Sequence, residues 1–433
     1  MHITILTIGS RGDVQPYVAL GVGLKAAGHR VCLATEQDYQ PFVTESGLEF
    51  ACLPGCSRER HETEAWKHYL THETDNIVST ISKGMVKFVT PTLRELLDES
   101  WRVCQGTDVI ISMPQVPSSY LIAKTLGVPF ISVWTIPNTP TAAFPHPYLK
   151  GVLPLGILNR LSYALVDLLC LQHLGPVLQQ WQAETLKSKP RPLSSLKEFY
   201  SQPTPTLYAY SPTVLPRPAE WGEHVHVNGF WNLDPQTDWQ PPTWLTDFLD
   251  DGPPPVYIGF GSSIWKDPVA LTEKIVAAVK QSGQRAILDL GWGGIGEADL
   301  PDTVLKIASK DAPHRWLLPQ MAAAIHHGGS GTVGAVTRAG IPSMVIPSFY
   351  DHTFWGRRIA DLGIGLPVLP AETVSVPYLA HCIRTLAQDT TLKARAASVG
   401  QKVRAEDGVG RSVEIIQRHL EVQTRPAAAL ALS

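Results

Sequence analysis

A short apolar strand, a glycine-containing turn and an apolar-periodic helix follow one another at two places in this chain. The first copy runs from a strand over residues 2–8 through a turn at 9–12 to a helix over 14–27, and a strand at 31–34 completes a βαβ unit. The second copy begins with a strand at 256–259 that leads into a glycine–serine turn. Strands buried on both faces and alternating with helices are typical of parallel sheets, so the pattern predicts an α/β fold with two Rossmann-like, doubly wound parallel sheets.

A proline-rich stretch divides the chain of 433 residues. Proline recurs between positions 203 and 255 and ends in the run Pro253-Pro254-Pro255, a composition typical of a linker between domains. Further strands are predicted at 108–112 and 129–134 before this stretch, and at 286–290, 324–326 and 343–347 after it. We therefore expect one domain over 1–232, a second over 233–392 and a long terminal helix over 393–422, since the length exceeds one ordinary core.

The composition argues against several classes of protein and site. Charged residues make up 17% of the chain and the formal net charge is −3, so the excess of Lys and Arg typical of nucleic-acid binding is missing. No uncharged apolar stretch reaches the ~18 residues of a spanning helix, and the first residues lack a basic signal region, which predicts a cytoplasmic protein. The six cysteines have no zinc-type spacing, so we expect neither a metal site nor disulfides.

The segment His326-His327-Gly328-Gly329-Ser330-Gly331-Thr332 is the most informative candidate for ligand binding. It follows a predicted strand and begins a predicted helix. The N–H groups in the first turn of a helix have no intrahelical partner, so Ser330, Gly331 and Thr332 could hold a diphosphate while His327 donates a hydrogen bond to it. The alternative is a tight glycine turn beside a core histidine, and a short glycine motif alone does not decide between the two.

Asp351 and His352 follow the strand predicted at 343–347. Ligands of open α/β sheets bind outside the carboxyl ends of strands, and a carboxylate at that place can accept hydrogen bonds from sugar hydroxyls. Asp351 could instead cap a helix that begins at Thr353, because Asp is a favoured N-cap residue.

Asp13 occupies the corresponding position after the first strand and is the candidate general base. A desolvated carboxylate there can take the proton of a hydroxyl group that attacks a carbon atom. The alternative is that Asp13 only caps the first helix. The spacing Gly9-x-x-Gly12 does not fit the dinucleotide-binding fingerprint, because the third glycine is out of place.

The turn Gly9-Ser10-Arg11-Gly12-Asp13-Val14-Gln15-Pro16 and the segment 312–358 together resemble nucleotide-sugar glycosyltransferases of the GT-B fold. The resemblance is to bacterial antibiotic and macrolide glycosyltransferases and, in the first turn above all, to sterol glucosyltransferases, and it extends nearly from end to end. It implies that the first domain binds an acceptor, that the second binds a nucleotide sugar, and that the last helix crosses back to the first domain.

Position by position, the resemblance implies Asp13 as the catalytic base and a donor site formed mainly by the second domain. The donor-binding residues that it implies are Arg11, Ser262, Ala312, His327, Gly329, Ser330, Gly331, Thr332, Asp351 and His352. In such enzymes His327 and the backbone of 329–332 would contact the diphosphate, Ser262 and Arg11 would also reach it, and the main chain at Ala312 would bind the base.

Some positions depart from the family pattern. Ala335 stands where plant relatives have a glutamate that binds the ribose, so the resemblance does not fix uridine over thymidine. His352 stands where a glutamine follows the aspartate, which weakens the expectation of glucose. The segment 111–115 has no carboxylate to orient a histidine base, which fits a base that is itself a carboxylate.

The resemblance implies an inverting, metal-independent glycosyltransferase without a cofactor. It would move a hexose, first of all glucose from UDP-glucose, with a dTDP-sugar as the other donor, to a hydroxyl of a lipophilic acceptor such as a sterol, another terpenoid or a polyketide. Segments 57–89 and 134–174, which mix apolar and aromatic residues, would line the acceptor pocket. No protein partner is indicated, and weak peripheral membrane contact is expected if the acceptor is a lipid. A catalytically silent sugar-nucleotide-binding or activator protein and a nucleotide-sugar 2-epimerase stay open as alternatives.

Overall fold

The computed structural model describes residues 1–55, 57–72, 77–113, 116, 118–149, 156–188, 204–233, 239–292, 296, 298–309, 311–348 and 350–424. These residues form two parallel sheets, one of seven strands and one of six, with helices packed against them. The predicted α/β fold with two doubly wound parallel sheets is confirmed.

The first sheet has the strand order β3-β2-β1-β4-β5-β6-β7. Its strands are β1 His2–Leu6, β2 Arg30–Glu36, β3 Glu49–Leu53, β4 Val109–Ser112, β5 Phe130–Trp134, β6 Thr206–Tyr208 and β7 Val225–Val227. The helices in this part of the chain are α1 Arg11–Ala26, α2 Gln40–Glu45, α3 Ser57–Glu62, α4 Glu64–His72, α5 Ile77–Gly84, α6 Thr90–Val103, α7 Ser119–Leu126 and α8 Ile157–Glu184. A short 3₁₀ turn covers Gln37–Tyr39, and a π-helical turn, Met85–Val89, joins α5 to α6.

The second sheet has the strand order β10-β9-β8-β11-β12-β13. Its strands are β8 Val256–Gly259, β9 Ala286–Asp289, β10 Val304–Ile307, β11 Ala323–His326, β12 Ser343–Val345 and β13 Gly365–Leu366. The helices are α9 Thr243–Asp250, α10 Pro268–Ser282, α11 His314–Leu317, α12 Ser330–Ala339, α13 Tyr350–Asp361, α14 Val376–Gln388, α15 Thr390–Arg404 and α16 Gly408–Thr424, with a 3₁₀ turn at Leu318–Gln320.

Each sheet has one place where the strand order reverses. In the first sheet β1 lies between β2 and β4, and in the second β8 lies between β9 and β11. After β1 and β4 in the first sheet, and after β8 and β11 in the second, the chain turns in opposite directions. This leaves a crevice at the carboxyl ends of these strands, and ligands of such folds bind there. The fold therefore points to the turns after β1, β8 and β11.

The single terminal helix predicted over 393–422 is wrong, because the chain breaks into α15 and α16. The Asp407 carboxylate accepts a hydrogen bond from the Gly410 N–H at 2.8 Å and so starts a new helix. Glu406 accepts hydrogen bonds from Ser211 and Thr213, which fixes the break against the first domain. Helix α16 then packs on α1, where a Cβ at Gly23 would lie 2.5 Å from Val409 Cγ1.

Helix α8 was not predicted, because its apolar residues surround the helix instead of following one stripe. Within the described part of the chain it is the one helix long and apolar enough to cross a membrane by length and composition alone, and 33% of its most apolar window is buried. One face packs through Val166 and Leu169 against Ile81 of α5. Exposed apolar side chains follow the other face, at Ile157, Leu158, Leu161, Leu165 and Leu168.

Candidate active site

The two crevices face each other across a contact between the first turns of α1 and α12. A Cβ added at Gly331 would lie 3.9 Å from the Cα of Gly12, so the two helix tips nearly touch. Away from the tips the domains are held together by an apolar cluster, in which the rings of Tyr210 and Trp355 lie 5.5 Å apart. Arg358 Nε of α13 donates to the Val214 carbonyl at 2.6 Å. The turns after β1 and β11 therefore belong to one cleft.

Asp13 lies in the first turn of α1, and Ser10 is the N-cap residue. The Ser10 N–H and the Ser10 hydroxyl both donate to Asp13 Oδ2, each at 2.9 Å. The alternative that Asp13 itself is the N-cap is therefore wrong, although the carboxylate does take part in capping. Among the described residues no hydrogen bond reaches Oδ1, so this oxygen stays available to a ligand in the cleft.

Gly9 is required by this arrangement. Its φ is +125°, and a Cβ there would lie 2.6 Å from Asp13 Oδ2. Burial raises the pKa of Asp13, and the hydrogen bonds from Ser10 oppose that rise. A carboxylate with a raised pKa is a stronger base than one in water, which suits proton removal from a hydroxyl group.

Asp351 approaches from the second domain. Helix α13 begins at Tyr350, so Asp351 lies in its first turn, and the alternative of a cap for a helix starting at Thr353 is wrong. Burial and the negative charge of Asp13 raise the pKa of Asp351 to about 7. The fold thus brings two carboxylates from opposite domains within electrostatic reach of each other.

His327 follows β11 and is 9% exposed. Glycines make room for its ring, since a Cβ at Gly329 would lie 2.6 Å from Nε2 and a Cβ at Gly261 would lie 2.9 Å from Cε1. Burial lowers the pKa of His327 to about 4, although the Gly259 carbonyl opposes this, so the imidazole is neutral at pH 7. A neutral imidazole has a single N–H, and with that proton on Nε2, the nitrogen beside Gly329, it can donate one hydrogen bond to a phosphate without carrying a charge.

The N-terminus of α12 is open toward the same place. Gly329 is its N-cap residue in an extended conformation, and no side chain caps it. The amides of Ser330, Gly331 and Thr332 are the first of the helix and lack intrahelical acceptors, and all three residues are at least partly exposed. This geometry suits an anion such as a diphosphate.

A serine pair that sequence reasoning missed connects the donor-side turns. Ser348, after β12, donates to the buried Ser263 hydroxyl at 2.7 Å, and its oxygen lies 3.3 Å from His352 Nδ1. Ser263 follows the predicted donor residue Ser262, and the His352 ring lies 4.9 Å from that of His327. The position of Ser348 at the carboxyl end of a strand was the available signal.

The remaining predicted donor residues lie in different surroundings. Ala312 is 2% exposed and lies two residues before the start of α11. Arg11 is exposed, and its contacts in the described structure are with Gln15, through Nε at 3.2 Å, and with the Phe42 ring, at 5.1 Å. These contacts place Arg11 against its own domain instead of the glycine segment. The ligand roles of all these residues stay predictions.

The acceptor side of the cleft is aromatic. Burial, then the charges of Asp351, Cys170 and Asp13, raise the pKa of Tyr148, which places its phenol near both carboxylates. Phe144 lies 5.5 Å from Phe354 of the second domain. The predicted lining residues Trp66, Tyr69 and Phe88 pack on one another, with ring centroids 4.6–5.4 Å apart. Residues 73–76 and 150–155 of the predicted acceptor segments lie outside the described residues, as do residues 114–115 of the segment 111–115.

Two family models cover most of both domains. Residues 3–145 match the glycosyltransferase family 28 N-terminal domain, and residues 293–421 match the C-terminal domain of proteins like erythromycin biosynthesis protein CIII. The chain is also 35% identical over 437 residues to a protein from Emericella nidulans named sterol 3-beta-glucosyltransferase. That match covers 98% of this chain and 30% of the relative, so the chain spans less than a third of the relative's length.

Solved structures share the fold over nearly the whole chain. The glycotransferase of kitacinnamycin superposes with a TM-score of 0.68 at 19% identity and covers 96% of this chain and 98% of its own. The glycosyltransferase VinC in complex with dTDP gives a TM-score of 0.64 at 20% identity and covers 96% and 99%. At such identities the likeness establishes the fold, while the family models cover both halves of the cleft. The two family models together cover more than half of the chain, so the chain belongs to the glycosyltransferases, and its fold is GT-B.

Proposed function

We propose that this protein transfers a hexose from a nucleoside diphosphate sugar to a hydroxyl of a sterol-like acceptor, with inversion at the anomeric carbon. The observation that carries the proposal is the contact between the tips of α1 and α12, since it brings Asp13 to the same cleft as the anion-binding amides of 330–332. A general base and a leaving-group site must flank the reacting carbon from opposite sides for an in-line displacement. In the proposed arrangement Asp13 lies on one side of that carbon and the amides of 330–332 lie on the other.

In the proposed reaction Asp13 Oδ1 takes the proton of the acceptor hydroxyl while the hydroxyl oxygen attacks the anomeric carbon. The bond from that carbon to the diphosphate oxygen breaks, and the leaving diphosphate keeps the electron pair. Neutral His327 donates a hydrogen bond to it, and the amides at the start of α12 stabilise its charge. Attack from the face opposite the diphosphate turns an α-linked donor into a β-glycoside.

We infer that no metal ion is needed, since the helix N-terminus and His327 can neutralise the diphosphate without one. In the described residues no group of three or more His, Cys, Asp or Glu side chains could hold a metal ion. Asp351 and His352 would bind the sugar hydroxyls. The name of the Emericella nidulans relative favours glucose and a sterol, whereas Ala335 leaves the choice between a UDP- and a dTDP-sugar to experiment.

The lipophilic acceptor would enter on the side of Tyr148 and Phe144. Helix α8 presents one face toward this region, because Val166 and Leu169 form a cluster against which Tyr148 packs. Its other face carries the exposed apolar row from Ile157 to Leu168, which favours weak contact with a lipid surface.

The substitution Asp13→Asn tests the proposal. Asparagine keeps the size of the side chain and can still accept the hydrogen bonds from Ser10, but it cannot take a proton, so we expect kcat to fall by about 10²–10⁴ with the donor KM unchanged. Transfer is measured by mass spectrometry with UDP-glucose and dTDP-glucose against sterol and polyketide acceptors. Asp108→Asn, an exposed aspartate at the opposite edge of the same sheet, is the control.

The same assay separates the two alternatives. A sugar-nucleotide-binding or activator protein would bind the donor and form no glycoside with any acceptor of the panel. A 2-epimerase would isomerise or hydrolyse the donor when no acceptor is present. Full turnover by a folded Asp13→Asn protein would remove Asp13 from the mechanism.

A further inference from the structure

A buried carboxylate in the second domain has no part in the proposed reaction. Asp289 ends β9 and is 3% exposed. Its Oδ2 accepts a hydrogen bond from the Tyr257 hydroxyl at 2.8 Å, and its Oδ1 accepts from the Gly291 N–H at 3.1 Å and from the Ser309 hydroxyl. Burying a charge is unfavourable unless several partners compensate, and these partners do so.

The direction of the hydrogen bonds follows from the number of protons. A phenol has one O–H proton, and in Tyr257 this O–H donates a hydrogen bond to Asp289. The phenol oxygen must therefore accept the hydrogen bond from His314 Nε2–H at 2.9 Å. His314 Nε2 also lies 3.7 Å from Asp289 Oδ2. Burial opposes ionisation of Asp289, but the adjacent His314 imidazole and the hydrogen bonds from Ser309 and Tyr257 outweigh it and hold the pKa of Asp289 below its usual range.

The Asp289 cluster, meaning Asp289, Tyr257, His314 and Ser309, reaches the nucleobase side of the predicted donor site. Ser309 follows β10, and His314 begins α11 two residues after Ala312. In the loop 308–313, of which residues 308–309 and 311–313 are described, the Ala308 N–H donates to the Asp311 carboxylate and the Asp311 N–H donates to the Ala308 carbonyl, both at 2.8 Å. The cluster therefore holds both ends of the loop in which Ala312 lies.

The same carboxylate also supports the phosphate side. Gly291, which donates to Asp289, has φ +55°, and a Cβ there would lie 2.0 Å from the Gly261 carbonyl oxygen. The Trp292 N–H donates to that same oxygen at 2.8 Å. The chain after β9 thus packs directly on the turn that carries Ser262 and lies against the His327 ring.

We propose that Asp289 is a positioning residue that holds the nucleobase loop 308–313 and the phosphate turn 261–262 in one fixed relation, so that together they fit a nucleoside diphosphate. This rests on the proposed function, because it takes the donor to bind along these two segments. Asp289 touches no substrate itself. Its effect is confined to the donor, since the acceptor binds to the other domain.

Tyr257→Phe is the test, because it removes one hydroxyl and leaves the ring that fills the core. His314 then loses its acceptor, and we expect the Kd of UDP, or of dTDP if that is the better ligand, to rise by about tenfold in calorimetry. The donor KM rises in parallel, while the acceptor KM and kcat at saturating donor stay at the wild-type values. A merely structural role would not produce this split.

Tyr208→Phe is the matched control. The Tyr208 hydroxyl is equally buried, and it accepts hydrogen bonds from the backbone N–H of Asn138 at 3.0 Å and of Thr139 at 2.6 Å in the first domain. We expect a comparable fall in Tm with nucleotide affinity unchanged. The inference is overturned, and the proposed function is not, if nucleotide affinity is unchanged in Tyr257→Phe or falls equally in both variants. Wild-type protein that binds neither UDP nor dTDP overturns the proposed function, and this inference with it.

Discussion

Replacing Asp351 by asparagine should make the protein more stable and less active. The pKa of Asp351 lies at about 7 instead of 3.8, because burial and the charge of Asp13 disfavour its ionised form. At neutral pH and above, the ionised Asp351 carboxylate therefore lowers the stability of the folded protein, because its surroundings disfavour the charge. Asparagine keeps the size of the side chain and removes this penalty.

The magnitude follows from the two pKa values. The difference between 3.8 and about 7 corresponds to about 4 kcal/mol for a fully shielded group. Asp351 is only half-buried, so solvent screening reduces the expected gain to about 1–2 kcal/mol, or a few degrees in Tm. The pKa is raised in the folded state, so the stability that protonated Asp351 contributes is complete below about pH 4 and is lost as pH rises to about 7.

The assay is thermal or denaturant unfolding of wild type and Asp351→Asn from about pH 5 to about pH 8. The stability of the variant relative to the wild type should increase as pH rises. Its donor KM should be higher, because the sugar hydroxyls lose a charged acceptor. Asp361→Asn, at the exposed end of the same helix, controls for the amide substitution. A variant that is less stable than the wild type near pH 8, or a difference that does not change with pH, would refute the reasoning.

Two further predictions concern the leaving-group site. Gly329→Ala should raise the donor KM by about tenfold or more and leave the acceptor KM unchanged, because its Cβ would lie 2.6 Å from His327 Nε2 and displace the ring; unchanged donor kinetics in the folded variant would contradict this use of the loop. Dialysis against EDTA should leave the rate of transfer unchanged, since protein groups neutralise the diphosphate; activity that disappears and returns with Mg²⁺ would show that a metal ion takes part.

The sequence alone determined the architecture and the turns in which the candidate site residues lie. Strands buried on both faces and alternating with helices leave few ways to hide their apolar surface, so the two parallel sheets followed from local patterns. Parallel strands also place their carboxyl ends at one edge of a sheet, so the sequence pattern indicates Asp13, His327 and Asp351 as candidate site residues. Helix α8 was not predicted because it has no polar face. The break at Asp407 was not predicted because it depends on a short local cap.

Only the tertiary structure decided how these turns combine. No periodicity in the sequence says that Gly12 and Gly331 approach each other, since that contact depends on how two separately folded sheets dock through a shared cluster of aromatic side chains. The raised pKa of Asp351 has the same origin, because its partner charge lies more than three hundred positions away in the chain. Likewise Asp289, Tyr257 and His314 become one cluster only where neighbouring strands and the start of a helix meet. Burial and charge depend on distances in space, and those are fixed by packing between elements remote in sequence.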